Sequence, residues 1–294
     1  MITYRSINEE MKRKYGQKVY RVSLNAGLSC PNRDGKISTG GCIFCSEGGS
    51  GDFASPAHES IATQLAIGKE VARKKAKNCN LFIAYFQAFT NTYGPIDYLR
   101  KIFYDAIEDD EVVILSIATR PDCISEEVLE LLSELNAIKP VWIELGLQSI
   151  HENTAKMINR GYELAVYDKA LKELQGRGLE VITHVILGLP GETTDDMVAT
   201  VDYVCKSGTN GIKLQLLHVL KGTKLADMYQ KDAFHMMSME EYLDVLKRCV
   251  AIIPPSVIVH RLTGDGPKSL LIEPQWTADK KRVINEMKKH LTSV

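Results

Sequence analysis

The sequence predicts an α/β fold with its strands gathered into a full or partial barrel, and two observations lead there. Short β-rich runs alternate with amphipathic stretches along almost the whole chain, the pattern that builds a parallel sheet with right-handed crossovers. Several runs also alternate an apolar with a polar face, so the sheet presents a polar side. The 294 residues are 45% hydrophobic and 25% charged with a net charge of -1. That balance suits one globular domain of barrel size. It gives no global electrostatic footprint for nucleic acid.

Strands are expected at residues 19–24, 81–86, 112–117, 141–147, 180–187, 211–217 and 257–261. Between them, Val128, Leu131, Leu132 and Leu135 have helical spacing, as do Leu164, Tyr167, Leu171 and Leu174. Ser125 followed by Glu126 and Glu127 marks a helix start, and Gly176 and Gly178 mark a stop. Thr193, Thr194, Asp195 and Asp196 cap the helix that follows. Six or so such units suggest a barrel rather than a small open sheet. No internal repeat, low-complexity tract or interdomain linker interrupts them. Pro254-Pro255 is the strongest break, so residues 1–253 are read as the core and 254–294 as a C-terminal cap on the same domain.

Strand parity carries chemical information. Val141, Ile143, Leu145 and Leu147 share one face, while Trp142, Glu144, Gly146 and Gln148 share the other. Leu214 and Leu216 face away from Lys213 and Gln215, and Leu115 and Ile117 oppose Ser116 and Arg120. The apolar face suits a layer of covering helices, so the polar face points into the barrel. An interior lined by Glu, Gln, Lys and Arg is a ligand cavity, with its site at the C-terminal ends of the strands.

Cysteine usage supplies the sharpest motif. Cys30, Cys42 and Cys45 form a C-x11-C-x2-C triplet, with Gly40, Gly41, Gly48, Gly49 and Gly51 around the pair. Three thiolates can bind zinc with a distant fourth ligand such as His58, act in redox exchange, or hold an iron–sulfur cluster with one iron left open. The glycines favour a loop wrapped around something bulky, which puts a cluster ahead of zinc. Cys79, Cys123, Cys205 and Cys249 are scattered and read as structural thiols. No apolar run is long enough to span a membrane and no secretory segment precedes the first strand, so the expected location is cytoplasmic. Basic stretches at Lys12 to Lys18, Lys69 to Lys77 and Lys280 to Lys289 are the places for phosphate contacts.

The chain resembles the radical S-adenosylmethionine (radical SAM) enzymes, in the branch close to the catalytic subunit of the elongator complex. The resemblance rests on Cys30-Pro31-Asn32-Arg33-Asp34-Gly35, Gly41-Cys42-Ile43-Phe44-Cys45, Glu144-Leu145-Gly146-Leu147-Gln148-Ser149, Asn159-Arg160-Gly161 and Gly188-Leu189-Pro190-Gly191-Glu192. The commonest superfamily spacing is C-x3-C-x2-C. The longer first gap here is a feature of the elongator-like branch. The resemblance implies a partial (β/α)6 TIM-like barrel with a C-terminal extension. It also implies a [4Fe-4S] cluster on Cys30, Cys42 and Cys45, whose open iron chelates SAM. One-electron reduction, by a donor such as flavodoxin or ferredoxin, then cleaves SAM to methionine and a 5′-deoxyadenosyl radical.

Other roles follow from the resemblance together with strand position. Glu144 and Gln148 are expected to contact SAM, Arg160 to bind its methionyl carboxylate, and Gly188 to leave room for adenine. Glu144 has a second reading, an ion pair with Lys213 or Arg120. Tyr85, Gln87, Lys213 and Gln215 are expected on the substrate side. His184 is ambiguous beside the polar Thr183, and His260 to Asp265 is expected to close the barrel mouth. Elongator-like relatives act on C5 side chains of wobble uridine in tRNA. The chain reads as their radical SAM portion without an acetyltransferase domain, with tRNA as the expected substrate. A small-molecule substrate and a non-catalytic zinc module are the competing readings.

Overall fold

The computed structural model describes residues 4–49, 51, 54–76, 79–264 and 266–292. Seven strands form one parallel sheet: β1 (Tyr20–Leu24), β2 (Phe82–Phe86), β3 (Val112–Thr119), β4 (Val141–Gln148), β5 (Glu180–Leu187), β6 (Gly211–Leu216) and β8 (Ile258–Arg261). They pair in the order β1-β2-β3-β4-β5-β6-β8 and curl into a partial barrel. A small antiparallel pair, β7 (Val219–Leu220) with β9 (Leu271–Glu273), stands apart from the main sheet. The helices are α1 (Ile7–Tyr15), α2 (Ile61–Lys75), α3 (Ile96–Ile107), α4 (Glu126–Asn136), α5 (Glu152–Met157), α6 (Leu164–Gly176), α7 (Thr194–Lys206), α8 (Lys224–Gln230), α9 (Met239–Ala251) and α10 (Lys280–Thr292).

Local chemistry sets the helix ends. Ser125 accepts the amide of Val128 at the start of α4, and Thr193 forms a reciprocal capping box with Asp196 on α7. α6 ends at Gly176, as its sequence requires. Leu131, Leu132 and Leu135 of α4 and Tyr167, Leu171 and Leu174 of α6 press on the outer face of the sheet. There they meet Ile143, Leu145, Val185 and Leu214 in one continuous core. Each such aliphatic side chain contributes about 1.5–3 kcal/mol by leaving water.

The inner face is divided by height. At the N-terminal ends of the strands, Ile83, Ile114, Trp142 and Ile182 pack with Met11 of α1 and Val19 into an apolar plug. Above the plug the inner face turns polar, so the barrel is closed below and open above. Residues near the N-terminus also cover the outer edge of β8, where Ser6 bridges Val259 and the Val259 amide donates to the Arg5 carbonyl at 2.8 Å. β8 is thus the seventh strand of the barrel although it lies in the segment read as a cap, and α10 packs on α9.

Candidate active site at the C-terminal ends of the strands

A cavity of about 460 Å³ opens where the strands end. Its walls include all three clustered cysteines and inward residues of β1 to β6, among them Ser23, Tyr85, Glu144, His184 and Gln215. The cysteines sit on the loop between β1 and α2, held by specific contacts. The Arg33 guanidinium donates to the Cys45 carbonyl at 2.9 Å and to that of Ser46, folding the loop back on itself. Asn159 donates from Nδ2 to the Gly41 carbonyl at 2.8 Å, and its own carbonyl accepts from Asn32 Nδ2 at 2.6 Å. The same Asn32 nitrogen lies 3.6 Å from Cys42 Sγ, close enough to donate to sulfur. A second apolar cluster of Ile43, Ile158, Leu217, Val219 and Leu225 anchors the loop to the barrel top.

Close approach explains two glycines. Gly41 has φ of +79° and its backbone lies against the Arg33 side chain; Gly49 has φ of +57° and lies under the Phe89 ring. A Cβ at Gly49 would stand 2.3 Å from that ring. Phe89 and Gln148 themselves have φ of 58° and 69°, in the left-handed region that bulky residues avoid. Both line the cavity, so backbone strain is concentrated at its wall.

The thiols suit a cluster. None of the seven cysteines is in a disulfide. Among the described residues, no three His, Cys, Asp or Glu side chains converge on a single-ion site. His58 is exposed and salt-bridged to Glu59, away from the cavity lining. Three thiols spread around one cavity fit a cluster, in which each thiolate holds a different iron. Burial, then the neighbouring Cys45, pushes the Cys42 thiol up to about 12. Such a group ionises only when a cationic centre joins it.

The cavity floor is a buried charge cluster centred on Glu144. Its Oε1 accepts from Ser116 Oγ at 2.9 Å and lies 3.2 Å from Arg21 Nη2. Its Oε2 is paired with Lys213 Nζ and lies 2.8 Å from His184 Nε2. Burial alone raises a carboxyl, but Lys213 and Arg21 outweigh it and hold Glu144 well below the usual carboxylate range. Burial, reinforced by Arg21, pushes the Lys213 ammonium down. The Arg21 guanidinium and the Lys213 ammonium both lie over the Tyr85 ring, at 5.1 and 4.7 Å from its centroid.

His184 resolves the parity ambiguity. Thr183 turns outward, to Tyr167 and Thr209 at 2.8 and 3.0 Å, and leaves His184 inside. Burial and the Lys213 charge lower the imidazole to about 4. A histidine lowered on folding is neutral in both states above pH ~6.5, and below that the unfolded chain takes up the proton first. Stability is therefore expected to fall as pH drops from ~6.5 to ~4, by about 3 kcal/mol. Urea titrations of wild type and His184→Gln across that window check this; an unchanged slope in the variant would refute it.

Three residues stand elsewhere than the sequence suggests. Arg160 is completely buried and does not line the cavity. Its guanidinium donates to the carbonyls of Leu147 (3.2 Å), Ser149 (2.6 Å) and Tyr162 (3.0 Å), tying the end of β4 to the loop after α5. Arg160→Lys loses this planar fork and strands buried carbonyls, for an expected loss of about 3 kcal/mol. SAM affinity should be unchanged in the folded variant, measured by calorimetry; a selective affinity loss would restore the carboxylate role. Gly188 ends β5 with φ of +89°, but Met237 and Leu217 cover it and it is not among the lining residues. His260 lies deep in the barrel, stacked edge-on against Trp142 at 5.0 Å, rather than at the mouth. Asp265 and Lys77 lie outside the described residues.

Tyr85, Gln87, Glu144, Gln148 and Gln215 all line the cavity. Lys213 stands just beneath, its charge directed at Glu144. Arg21 was not singled out from the sequence, although Tyr20, Val22 and Leu24 alternate with Arg21 and Ser23 as plainly as β4 does. Arg261 lines the wall as well.

Comparison with known proteins agrees with this architecture. The model of the radical SAM superfamily matches residues 33–204, and that of the radical SAM C-terminal domain matches residues 209–293. The uncharacterized protein YtqA of Bacillus subtilis is 43% identical over 98% of this chain and 89% of its own length. The tRNA uridine(34) acetyltransferase of Methanocaldococcus infernus is 28% identical over 55% of this chain, and the match spans 30% of that protein. Among solved structures, the archaeal Methanocaldococcus infernus Elp3 with an N-terminal deletion superposes with a TM-score of 0.70. That match has 19% identity and covers 92% of this chain and 63% of that one, a likeness of fold. With Cys42, Cys45 and strands β2 to β5 inside the matched segment, this chain belongs to the radical SAM superfamily and is a radical SAM enzyme.

Proposed function

We propose that this enzyme remodels the C5 side chain of a wobble uridine in tRNA. One observation carries the proposal: the three cysteines open into the same cavity as the inward polar residues of β2, β4 and β6. The family implies a [4Fe-4S] cluster and SAM. Cys30, Cys42 and Cys45 would hold that cluster. When bound, it supplies the electron that cleaves SAM to methionine and a 5′-deoxyadenosyl radical, and the cofactors carry this chemistry. The chain's own residues orient and exclude. Arg33 and Asn159 fix the loop, and the Asn32 amide offers a hydrogen bond to sulfur that tunes a bound centre. Glu144, Lys213, His184 and Arg21 form a rigid, water-poor floor on which a polar ligand can be oriented.

The uridine assignment draws on the relative whose name specifies tRNA uridine(34). The chain spans only part of that protein, and acetyl transfer is not part of the proposal. We read residues 1–253 as the core and 254–294 as an extension acting as one body with it, since β8 of the extension completes the sheet. A one-electron donor such as flavodoxin or ferredoxin completes the system.

Anaerobic reconstitution with iron and sulfide is expected to give a brown protein that forms 5′-deoxyadenosine upon reduction with SAM. Nucleosides from tRNA of a deletion strain should show a changed wobble-uridine profile by mass spectrometry. An unchanged profile with intact SAM cleavage would move the substrate to a small molecule, and stoichiometric zinc without cleavage would remove the enzyme reading.

A further inference from the structure

We propose that Lys221, Lys224 and Lys268 form a phosphate-binding rim that seats an RNA strand across the cavity mouth; the inference rests on the tRNA reading above. Each lysine adjoins a residue at the mouth. Lys221 follows Leu220 and Lys268 follows Pro267, both of which line the cavity. The Lys221 amide donates to the Leu270 carbonyl at 2.8 Å, joining the two segments through the β7–β9 flap. Lys224 opens α8, and its ammonium lies 3.6 Å from where a Cβ on Gly40 would stand, beside the cysteine loop. The Leu225 amide donates to the Ile43 carbonyl at 3.0 Å and fixes that relation.

The charges on this rim are available. All three lysines are exposed. Among the described residues none is salt-bridged, although Asp227 and Glu273 are near them in the chain. Part of the basic stretches that stand out in the sequence is tied up internally. Lys69 is bound by Asp109 and Glu111 at 2.5 and 2.8 Å, Arg73 by Glu111, Lys74 by Glu70 at 2.8 Å, and Arg13 by Glu10. Those paired cations have little to offer a phosphate, and other lysines of the stretches, such as Lys12, Lys75 and Lys281, have no cavity-lining residue beside them in the chain.

Inside the rim the wall changes character. Phe44 and Phe89 line the cavity with their rings part-exposed, the latter under the Arg33 guanidinium at 5.4 Å. Lysines outside aromatic faces match a single strand whose backbone is held by charge while a base stacks inward. A free nucleoside has no phosphates to engage such a rim.

The test measures binding of unfractionated tRNA to the full-length protein by fluorescence anisotropy between about 50 and 200 mM salt. The variant Lys221→Ala/Lys224→Ala/Lys268→Ala is compared with Lys12→Ala/Lys75→Ala/Lys281→Ala, which removes the same charge elsewhere. The rim variant is expected to bind roughly 10- to 100-fold more weakly near 0.1 M salt, with the salt slope lower by about 2. The control should stay within about 3-fold, since its lysines stand away from the cavity mouth. Thermal melts should match wild type for both. Equal losses in the two variants, or wild-type binding by the rim variant, would overturn the rim while leaving the uridine reading intact. Failure of the wild-type protein to bind tRNA at any salt would overturn both.

Discussion

Replacing any one of Cys30, Cys42 or Cys45 by serine is expected to reduce iron from about four atoms per chain to below about one, with loss of visible absorption and of 5′-deoxyadenosine formation. Each thiolate would hold a different iron, so two would not retain the cluster. The fold should survive, because the loop is attached to a barrel whose core it does not supply: Ile43 belongs to a separate apolar cluster, and the sheet packs under its own helices. Far-UV circular dichroism and melting temperature of the aerobic apoproteins should therefore agree. Loading of wild type should also slow as pH falls, because the Cys42 thiol, held up to about 12 by burial and by Cys45, must release its proton to bind. Full iron content in any single variant would refute the ligand assignment.

The second large effect is expected from the barrel floor. Glu144 is buried and faces Lys213, Arg21, His184 and Ser116. Glu144→Gln leaves the buried Lys213 and the half-buried Arg21 without a counter-charge, at a cost of about 3–5 kcal/mol. For a chain of this size that lowers the melting temperature by roughly 5–8 °C. Lys213→Met should cost much less, since Arg21, Ser116 and His184 still satisfy the carboxylate. The double variant Glu144→Gln/Lys213→Met should recover part of the loss. Differential scanning calorimetry of the three proteins tests the asymmetry; equal destabilisation by both single variants would contradict it. Because the Glu144 carboxyl is held low, its share of stability is present above pH ~4.3 and disappears as pH falls further.

The strands were legible because a parallel sheet under helices writes itself as apolar runs with a fixed parity. All seven expected segments correspond to strands, and the residues sharing a face with Glu144 do point inward. Parity fails where both faces are polar and buried. Thr183 and His184 are adjacent, and only the tertiary partner Tyr167 reveals that the threonine is satisfied outside. Arg160 shows another limit. An arginine in a motif looks like a ligand grip, yet apart from Glu152 at 3.5 Å its partners are backbone carbonyls, which no sequence displays. The rim lysines are invisible for a third reason. They are scattered singly across nearly fifty residues, and the flap gathers them, while in the conspicuous basic run of α2 Lys69 and Arg73 lie opposite acidic residues.

The left-handed backbone at Phe89 and Gln148 has a consequence for how this sequence was selected. Folding alone would place glycine or asparagine at both positions, and a library screened only for heat resistance should drift toward them. Such descendants would melt later and present a smoother, emptier wall. The two side chains thus record a compromise in the history of the chain, in which occupancy of the cavity outweighed the comfort of the backbone.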